Sequence, residues 1–162
     1  PNAVKDRGVI NVEPEGYVPF EHIHLNQDEI FHIKKGEMRI LIEGKEHIVP
    51  AGESIIVPKG TPHIAYNNKP ERLESIVEYK PGLDNYKFFQ CFGGLLIDGD
   101  TSKNGTVNIP KMCYFTKKMN AQSITRPTSV PAPIFKIAIH ISYIIGSIVG
   151  WKKLYFKYTG DH

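Results

Sequence analysis

The chain has 162 residues, of which 41% are hydrophobic, and 20 basic against 17 acidic side chains give a formal net charge of +3. This length favours one domain by default, and this hydrophobic content suffices for a core without indicating an integral membrane protein. The net charge is small and basic residues are interleaved with acidic ones, which argues against a nucleic-acid-binding surface.

Cysteine usage and the first residues bear on the compartment. Cys91 and Cys113 are the only cysteines, and two cysteines without metal-site spacing are more typical of buried thiols in a reducing compartment than of a disulfide. Residues 1–7 contain no apolar signal core. The sequence therefore predicts a cytoplasmic protein, although a leader removed before Pro1 would leave no trace.

Two histidines one position apart, His22 and His24, are the first residues that indicate chemistry. Residues i and i+2 of a β-strand point to the same face, so the pair aims two imidazoles at one point while Ile23 faces the other side. Residues 25–28 form a polar cluster that suits a turn, and Glu29 is predicted to return to the same face on a neighbouring strand.

A third histidine, His63, follows the turn-rich residues 58–62 and is predicted to approach from a different direction. Three imidazoles and one carboxylate are the ligand set of a mononuclear divalent-metal centre that keeps room for substrate. The predicted metal ligands are His22, His24, Glu29 and His63. We expect one divalent transition metal ion (Fe, Mn, Ni, Cu, Co or Zn), with Glu29 also acting as the catalytic base for a substrate hydroxyl when it moves off the metal.

These residues have alternative interpretations. The three histidines can be buried core residues or remnants of a decayed site, and Glu29 can orient a ligand instead of binding the ion. His32 should face away from Glu29 on the same strand, which favours a surface position. The lone histidines are interpreted as structural or exposed: His47, His140 and His162. Asn67 is at least as easily a turn residue.

The predicted ligands lie within two spaced motifs. The first is Gly16, five residues, His22-x-His24, four residues, Glu29, six residues and Gly36; the second is Gly52, five residues, Pro58-x-Gly60, two residues, His63, three residues and Asn67. In this order, and separated by residues 37–51, the motifs resemble the paired signatures of the cupin superfamily. The resemblance covers about residues 8 to 80. It implies a double-stranded β-helix, or jelly-roll barrel, with the metal in one mouth and the glycines and Pro58 at turns.

The strand pattern agrees with a barrel. Short β-branched runs between turns predict strands at residues 38–43, 46–49, 54–57 and 72–79. Closely spaced short strands favour an antiparallel sandwich or barrel. The predicted fold class is therefore mainly β, a cupin barrel over residues 1–82, with a helical C-terminal extension over residues 83–162 packed on the barrel or on a dimer interface.

Helical spacing begins after residue 82. Asp84 is a predicted helix cap, with a helix running through Leu96, and residues 108–110 open a second helix that reaches Met119. Thr125 to Pro133 is predicted to be a connector, because three prolines there oppose a regular hydrogen-bond ladder. The tail also resembles that of a set of small cupins whose helical extension ends in a Gly-aromatic-basic-Tyr string.

The last predicted helix runs from about Ile134 to Lys153. Its polar stripe comprises Lys136, His140, Tyr143 and Ser147, and its small-residue stripe comprises Ser142, Gly146 and Gly150. We expect this helix to pack on the barrel or across a homodimer interface, with the polar stripe towards water. Its length is close to that of a membrane span, but Lys136 and His140 argue against a span. Attachment to a membrane surface through Trp151 and the nearby lysines is the alternative.

The cupin resemblance leaves the reaction open, because many activities share this scaffold. The first hypothesis is a metal-dependent dioxygenase-type oxidoreductase acting on a small oxygenated organic molecule, similar to the quercetinase branch of the cupins. The second is an isomerase, epimerase or cyclase that uses the metal as a Lewis acid, with Tyr66 or His32 as weak candidates for an extra acid or base. The third is a non-catalytic small-molecule binder or sensor. Candidate pocket-lining residues are Phe20, Phe31, Met38 and Tyr66.

Overall fold

The computed structural model describes residues 7–14, 16, 20–102 and 106–161. The described chain divides into two compact units, residues 1–83 with 123–129, and residues 84–122 with 130–162. His162, interpreted from the sequence as structural or exposed, lies outside the described residues.

The first unit is built from two antiparallel sheets. The strands are β1 (Arg7–Val12), β2 (His22–His24), β3 (Asp28–Lys35), β4 (Glu37–Ile42), β5 (Lys45–Pro50), β6 (Ser54–Val57), β7 (His63–Tyr66), β8 (Leu73–Lys80) and β9 (Thr125–Pro127). One sheet has the order β1-β8-β3-β6 and the other β5-β4-β7-β2-β9. Neighbouring strands are mostly not consecutive in the chain. This order is that of a mainly β jelly roll, as the sequence predicts.

Both sheets contribute to one hydrophobic core. Phe31, Ile33, Val57, Leu73 and Val77 come from the first sheet, and they pack in one cluster with inward residues of the second. Alternation explains this arrangement, because every second residue of a strand faces the same side. In β8, for example, residues 73, 75, 77 and 79 are all buried. Each strand predicted from the sequence is present, with bounds shifted by at most a residue or two.

Tight turns between the strands are made by glycines of the two motifs. Gly36, Gly52 and Gly60 have φ values of 78°, 91° and 80°, a region that residues with a Cβ rarely adopt. At Gly36 the chain also passes close to a neighbouring strand, since an added Cβ would lie 3.0 Å from the carbonyl oxygen of Arg72. These positions are turn residues, as the cupin resemblance implies.

The predicted connector after residue 125 is corrected by the structure. Thr125–Pro127 forms the short edge strand β9, which pairs with β2 through His24↔Thr125, Ile23↔Arg126 and His22↔Pro127. Proline is tolerated there because a residue at a sheet edge does not have to donate a hydrogen bond to a second neighbour. A segment from the C-terminal half of the chain therefore completes the sheet that carries all three motif histidines.

The second unit is helical. It contains α1 (Asn85–Ile97), α2 (Ile109–Lys118), α3 (Ala132–Val149) and α4 (Lys152–Thr159). Asn108 caps α2, accepting a hydrogen bond from the backbone N–H of Lys111, and Asp84 occupies the N-cap position of α1 without a side-chain cap hydrogen bond. The predicted single helix to Lys153 is interrupted, because Gly150 adopts a left-handed conformation that ends α3.

The helices pack around buried aromatic and sulfur-containing side chains. The core cluster contains Cys91, Leu95, Val107, Met112, Tyr114, Phe115 and Tyr155. Cys91 and Cys113 are free buried thiols, as the sequence predicts. Gly146 lies where α3 meets α2, and an added Cβ would collide with the ring of Tyr114. The small-residue stripe therefore permits close approach of a neighbouring helix.

Two adjacent glycines in α1 provide a matched stability test. We expect Gly93→Ala to stabilise the second unit by about 0.5–1 kcal/mol, because nothing lies within 4 Å of its added Cβ and alanine is the better helix former. Gly94→Ala should instead destabilise by about 1–3 kcal/mol, because its Cβ would overlap the Tyr158 ring. Urea unfolding followed by fluorescence of Trp151, the single tryptophan, would measure both. Equal effects would contradict the packing described here.

Candidate metal centre

The four predicted ligands converge in the interior of the first unit. His22, His24, Glu29 and His63 are all buried, and one potential ligand atom from each lies within 4.8 Å of the others. Nitrogen and oxygen ligands at 2.0–2.2 Å from an ion are at most about 4.4 Å apart. The cluster therefore has nearly the dimensions of a first coordination shell, and its donors fit a divalent transition metal ion.

The structure differs from the sequence prediction in the directions from which His63 and Glu29 enter the cluster. His63 lies on β7 directly opposite His22 on β2, so the three imidazoles share one sheet. Glu29 lies on β3 in the other sheet, and does not come from a strand next to β2 as predicted. The reason is the jelly-roll topology, in which the chain crosses from one sheet to the other between residues 24 and 28. The Glu29 carboxylate thus enters the cluster from the sheet opposite the three histidines.

Each imidazole is held through Nδ1, which leaves Nε2 for the cluster. His22 Nδ1 donates to the backbone oxygen of Phe20 at 3.1 Å, and His63 Nδ1 donates to that of Thr61 at 2.9 Å. His24 Nδ1 lies 3.0 Å from the Thr125 hydroxyl of β9. Such hydrogen bonds to the distal nitrogen fix the ring orientation of metal-binding histidines.

Glu29 is hydrogen-bonded at both carboxylate oxygens. Oε2 lies 3.1 Å from His24 Nε2 and 2.8 Å from His63 Nε2, while Oε1 accepts a hydrogen bond from the Tyr79 hydroxyl at 2.8 Å. Burial opposes ionisation of Glu29, but the hydrogen bonds from His24 and His63 outweigh it and lower the pKa of the carboxyl below its ordinary range. Glu29 is therefore a carboxylate in this arrangement.

The two histidines that face each other across the sheet have opposite pKa shifts. Burial, reinforced by the neighbouring imidazoles of His63 and His24, lowers the pKa of His22 to about 4. Burial also acts against the charged form of His63, but the hydrogen bond to Glu29 prevails and raises its pKa. His22 is consequently neutral at pH 7 with Nε2 available, whereas metal binding by His63 requires loss of its Nε2 proton.

The His22 shift predicts a pH dependence of stability for protein treated with a chelator. His22 takes up a proton at pH 6.5 in the unfolded chain but only at about pH 4 in the folded one. The contribution of neutral His22 to the free energy of unfolding is complete above pH 6.5. It is lost as the pH falls towards 4, and the full loss is roughly 3 kcal/mol. Glu29, whose pKa is lowered from 4.5, adds to the loss only below that value.

Melting temperatures between pH 7 and 4.5 would test this dependence. His63 does not add to the loss below pH 6.5, because a group with a raised pKa loses its stabilising effect only as the pH rises above 6.5. A His22→Asn variant should therefore have a flatter profile than the wild type over this range. Identical slopes for the two proteins would show that another group causes the loss.

Two residues of the site were not found by sequence reasoning. Tyr79 has a signal in the alternation of β8, which places residue 79 on the same buried face as Leu73 and Val77. Burial, together with the Glu29 carboxylate, holds the pKa of the Tyr79 hydroxyl well above its usual value, so this hydroxyl keeps its proton. Thr125 has no comparable signal, because its partner His24 lies 101 residues away in the sequence.

The remaining candidate residues from the sequence lie away from the four-residue cluster, except Phe20. His32 faces away from the cluster, 2.8 Å from the Ser54 hydroxyl and 3.2 Å from Glu78 Oε2. Phe31 and Met38 belong to the hydrophobic core. Phe20, by contrast, contacts the His22 ring edge-on with centroids 6.0 Å apart. His47 and His140 are exposed.

Asn67 and one surface cavity lie apart from the four-residue cluster. Asn67 is fully buried, and its side-chain amide donates to the backbone oxygens of Val12 and Glu71, so it ties strand ends together. A surface cavity of about 230 Å³ is lined by Glu37, Arg39, Glu46, Ile48, Asn68 and Lys69, and by none of the four donors. Its charged side chains pair with one another, so we assign no function to it.

The fold and the four donors define a class of protein, a small jelly-roll domain with an internal metal-ligand cluster. Residues 8–79 match the family model described as a cupin domain. This match supports a small cupin domain over residues 8–79, and helices follow it in the sequence. No curated protein matches the chain.

Solved structures with a similar fold include three proteins of different description. A cupin protein from Bacteroides fragilis is 19% identical, with 45% of this chain and 62% of that chain covered and a TM-score of 0.43. A sugar phosphate isomerase of the cupin superfamily from Silicibacter pomeroyi is 23% identical, with 46% and 50% covered and a TM-score of 0.42. A predicted oxalate decarboxylase from Thermotoga maritima is 25% identical, with 45% and 63% covered and a TM-score of 0.43. The chain thus spans half to two thirds of these proteins.

Proposed function

We propose that the cupin domain is a metal-dependent enzyme that oxidises a small oxygenated organic molecule by dioxygenase-type chemistry. The observation that carries the proposal is the buried set of three imidazoles and one carboxylate, each imidazole held through Nδ1 and presenting Nε2. The donor set supports an open catalytic site over a closed structural zinc site, because structural sites are usually completed by thiolates.

The charge of the site supports an oxygen-containing substrate. Three neutral imidazoles, one carboxylate and a divalent ion sum to +1, which attracts a phenolate or enolate oxygen. A divalent ion held by His22, His24, Glu29 and His63 would supply Lewis acidity and, if redox-active, electron exchange with dioxygen. Four protein ligands leave about two positions of a six-coordinate ion for exchangeable groups.

The protein side chains in this proposal position the reactants and manage a proton. Glu29, when displaced from the ion, accepts the proton of a substrate hydroxyl, the role expected from the sequence. Tyr79 holds the other oxygen of that carboxylate by a hydrogen bond at 2.8 Å, so the carboxylate has a defined orientation. The burial of the four donors excludes bulk water, which strengthens each of these electrostatic interactions.

Oxygen uptake measurements would test the proposal. The purified chain would be loaded separately with Fe(II), Mn(II), Co(II), Ni(II), Cu(II) and Zn(II), and offered a panel of flavonols and β-diketones in an oxygen electrode. We expect substrate-dependent oxygen consumption with at least one redox-active ion and none with Zn(II). His32→Ala is a suitable control, because His32 faces away from the cluster. Absence of uptake across the panel would contradict dioxygenase chemistry.

A second candidate function is an isomerase, epimerase or cyclase, and Tyr79 is the observation that favours it. Such reactions need an additional acid or base, and the structure places a protonated, buried hydroxyl against Glu29 where the sequence offered only Tyr66 or His32. Turnover with Zn(II) in the absence of oxygen would support this alternative. A ligand retained unchanged at full metal occupancy would instead indicate a binder or sensor. The homodimer and the cytoplasmic location stay predictions.

A further inference from the structure

Helix α3 exposes a continuous apolar surface. Its seven residues, here called the isoleucine face, are Ile134, Ile137, Ile141, Ile144, Ile145, Ile148 and Val149, and each is 47–80% exposed. At 100° per residue they occupy one arc of about 140° along roughly 22 Å of helix. Only 11% of the 18-residue helix is buried, although its mean hydropathy is 1.7. Exposed apolar patches of this extent usually mark an interaction surface.

The other two faces of α3 have different environments. Ser142 and Gly146 are buried, with Gly146 against the Tyr114 ring of α2. Of the polar stripe, Lys136, His140 and Ser147 are exposed, whereas Tyr143 stacks on the Tyr114 ring. The isoleucine face is exposed as well in the single chain. It is the face of α3 that still has apolar surface to bury.

We propose that the isoleucine face, together with the lysines that follow it, binds the surface of an anionic lipid bilayer. Lys152 and Lys153 are exposed directly after Gly150 ends the helix. Trp151, between them and α3, packs edge-on against the Tyr114 ring of the helical core, so the two lysines carry the polar part of the proposed contact. An apolar helical stripe beside basic side chains is typical of helices that lie in the boundary between headgroups and acyl chains.

The charge distribution supports an anionic partner. The second unit contains nine lysines and four aspartates, a formal net charge of +5, whereas the first unit has 11 basic and 13 acidic residues, a net charge of −2. The positive charge is thus concentrated in the unit that exposes the isoleucine face. Each lysine close to an anionic headgroup layer adds to the affinity, and salt screens this attraction.

The same charge argues against a second copy of the chain as the occupant. Pairing two isoleucine faces about a two-fold axis would bring two units of +5 together, and like charges at an interface oppose association. A helix that lies in the bilayer surface also agrees better with the structure than one that spans it. Spanning would place Lys136, His140 and the side of α3 that packs on α2 in hydrocarbon.

Vesicle flotation of the full chain would test the proposal, using phosphatidylcholine vesicles with and without 30% phosphatidylserine. We expect binding to the anionic vesicles at low ionic strength and at least tenfold weaker partitioning at 0.5 M salt. Ile141→Ser should reduce partitioning about tenfold, because its side chain no longer enters the acyl region. His140→Ser, one residue away on the polar stripe, should change it less than twofold. Lys152→Gln with Lys153→Gln should remove most of the preference for anionic vesicles.

Other outcomes would overturn the proposal. No binding to anionic vesicles at low salt, or equal effects of Ile141→Ser and His140→Ser, would exclude the isoleucine face as the contact. A lipid-free dimer in sedimentation that Ile141→Ser dissociates would assign the face to a second copy. Resistance to extraction by alkaline carbonate, measured after flotation, would indicate a spanning helix. Far-UV circular dichroism of each variant would confirm that the fold is retained.

Discussion

His63→Ala is expected to lower the affinity for divalent transition metals by more than about a hundredfold. His63 is central in the cluster, facing His22 across the two strands and lying 2.8 Å from Glu29 Oε2. Its removal takes away one of four donors and also the hydrogen bond that holds the carboxylate. Loss of a residue that merely orients a ligand already costs roughly 10–100-fold in affinity, so loss of a ligand should cost more.

Elemental analysis and calorimetric titration with Co(II) or Ni(II) would measure this effect. His32→Ala is the matched control, because it removes an imidazole from the same unit without touching the cluster. We expect the wild type and the control each to bind one ion per chain, and His63→Ala to bind a small fraction of an equivalent. If His63→Ala retained full occupancy, the four side chains would not be the metal site.

Glu29→Ala is expected to cause the largest loss of stability in the first unit, about 3–5 kcal/mol for protein treated with a chelator. The carboxylate accepts hydrogen bonds from three buried groups, His24, His63 and Tyr79. Removing one partner of a buried ion pair leaves the other charge without compensation, and this costs more than the pair itself contributes. The hydrogen bond to Glu29 is what raises the pKa of His63, so in Glu29→Ala burial favours the neutral form of His63, and the ion pair and the buried hydrogen bonds to the carboxylate are all lost.

Differential scanning calorimetry would measure the loss while separating the transitions of the two units. Tyr79→Phe removes a single hydrogen bond to the same carboxylate and should cost about 1–3 kcal/mol, an intermediate effect. Glu46→Ala removes an acidic partner that lies on the surface beside Arg39 and should leave the melting temperature nearly unchanged. If Glu29→Ala and Glu46→Ala had similar effects, Glu29 would not be the electrostatic centre of the site.

In the C-terminal half of the chain, local sequence patterns predicted some boundaries of helices and strands correctly and others wrongly. Asn108 and Pro110 correctly predicted the start of α2, because capping depends on residues within one turn. The continuous helix to Lys153 was wrong, because Gly150 takes the left-handed conformation of a helix C-terminus, a single-residue signal that the helical spacing of the surrounding apolar residues obscured. The proline-containing segment after residue 125 became a strand only because β2 has an open edge that accepts it.

The sequence by itself determined the jelly-roll strands and the identity of the four donors, because β-strand alternation and turn-forming glycines act over a few residues and both motifs are complete. Only the tertiary structure decided that Glu29 approaches from the sheet opposite the histidines, and that Thr125 and Tyr79 hold His24 and Glu29 in place. These contacts join residues 50 and 101 positions apart. They depend on how the chain crosses between sheets, which no local periodicity encodes.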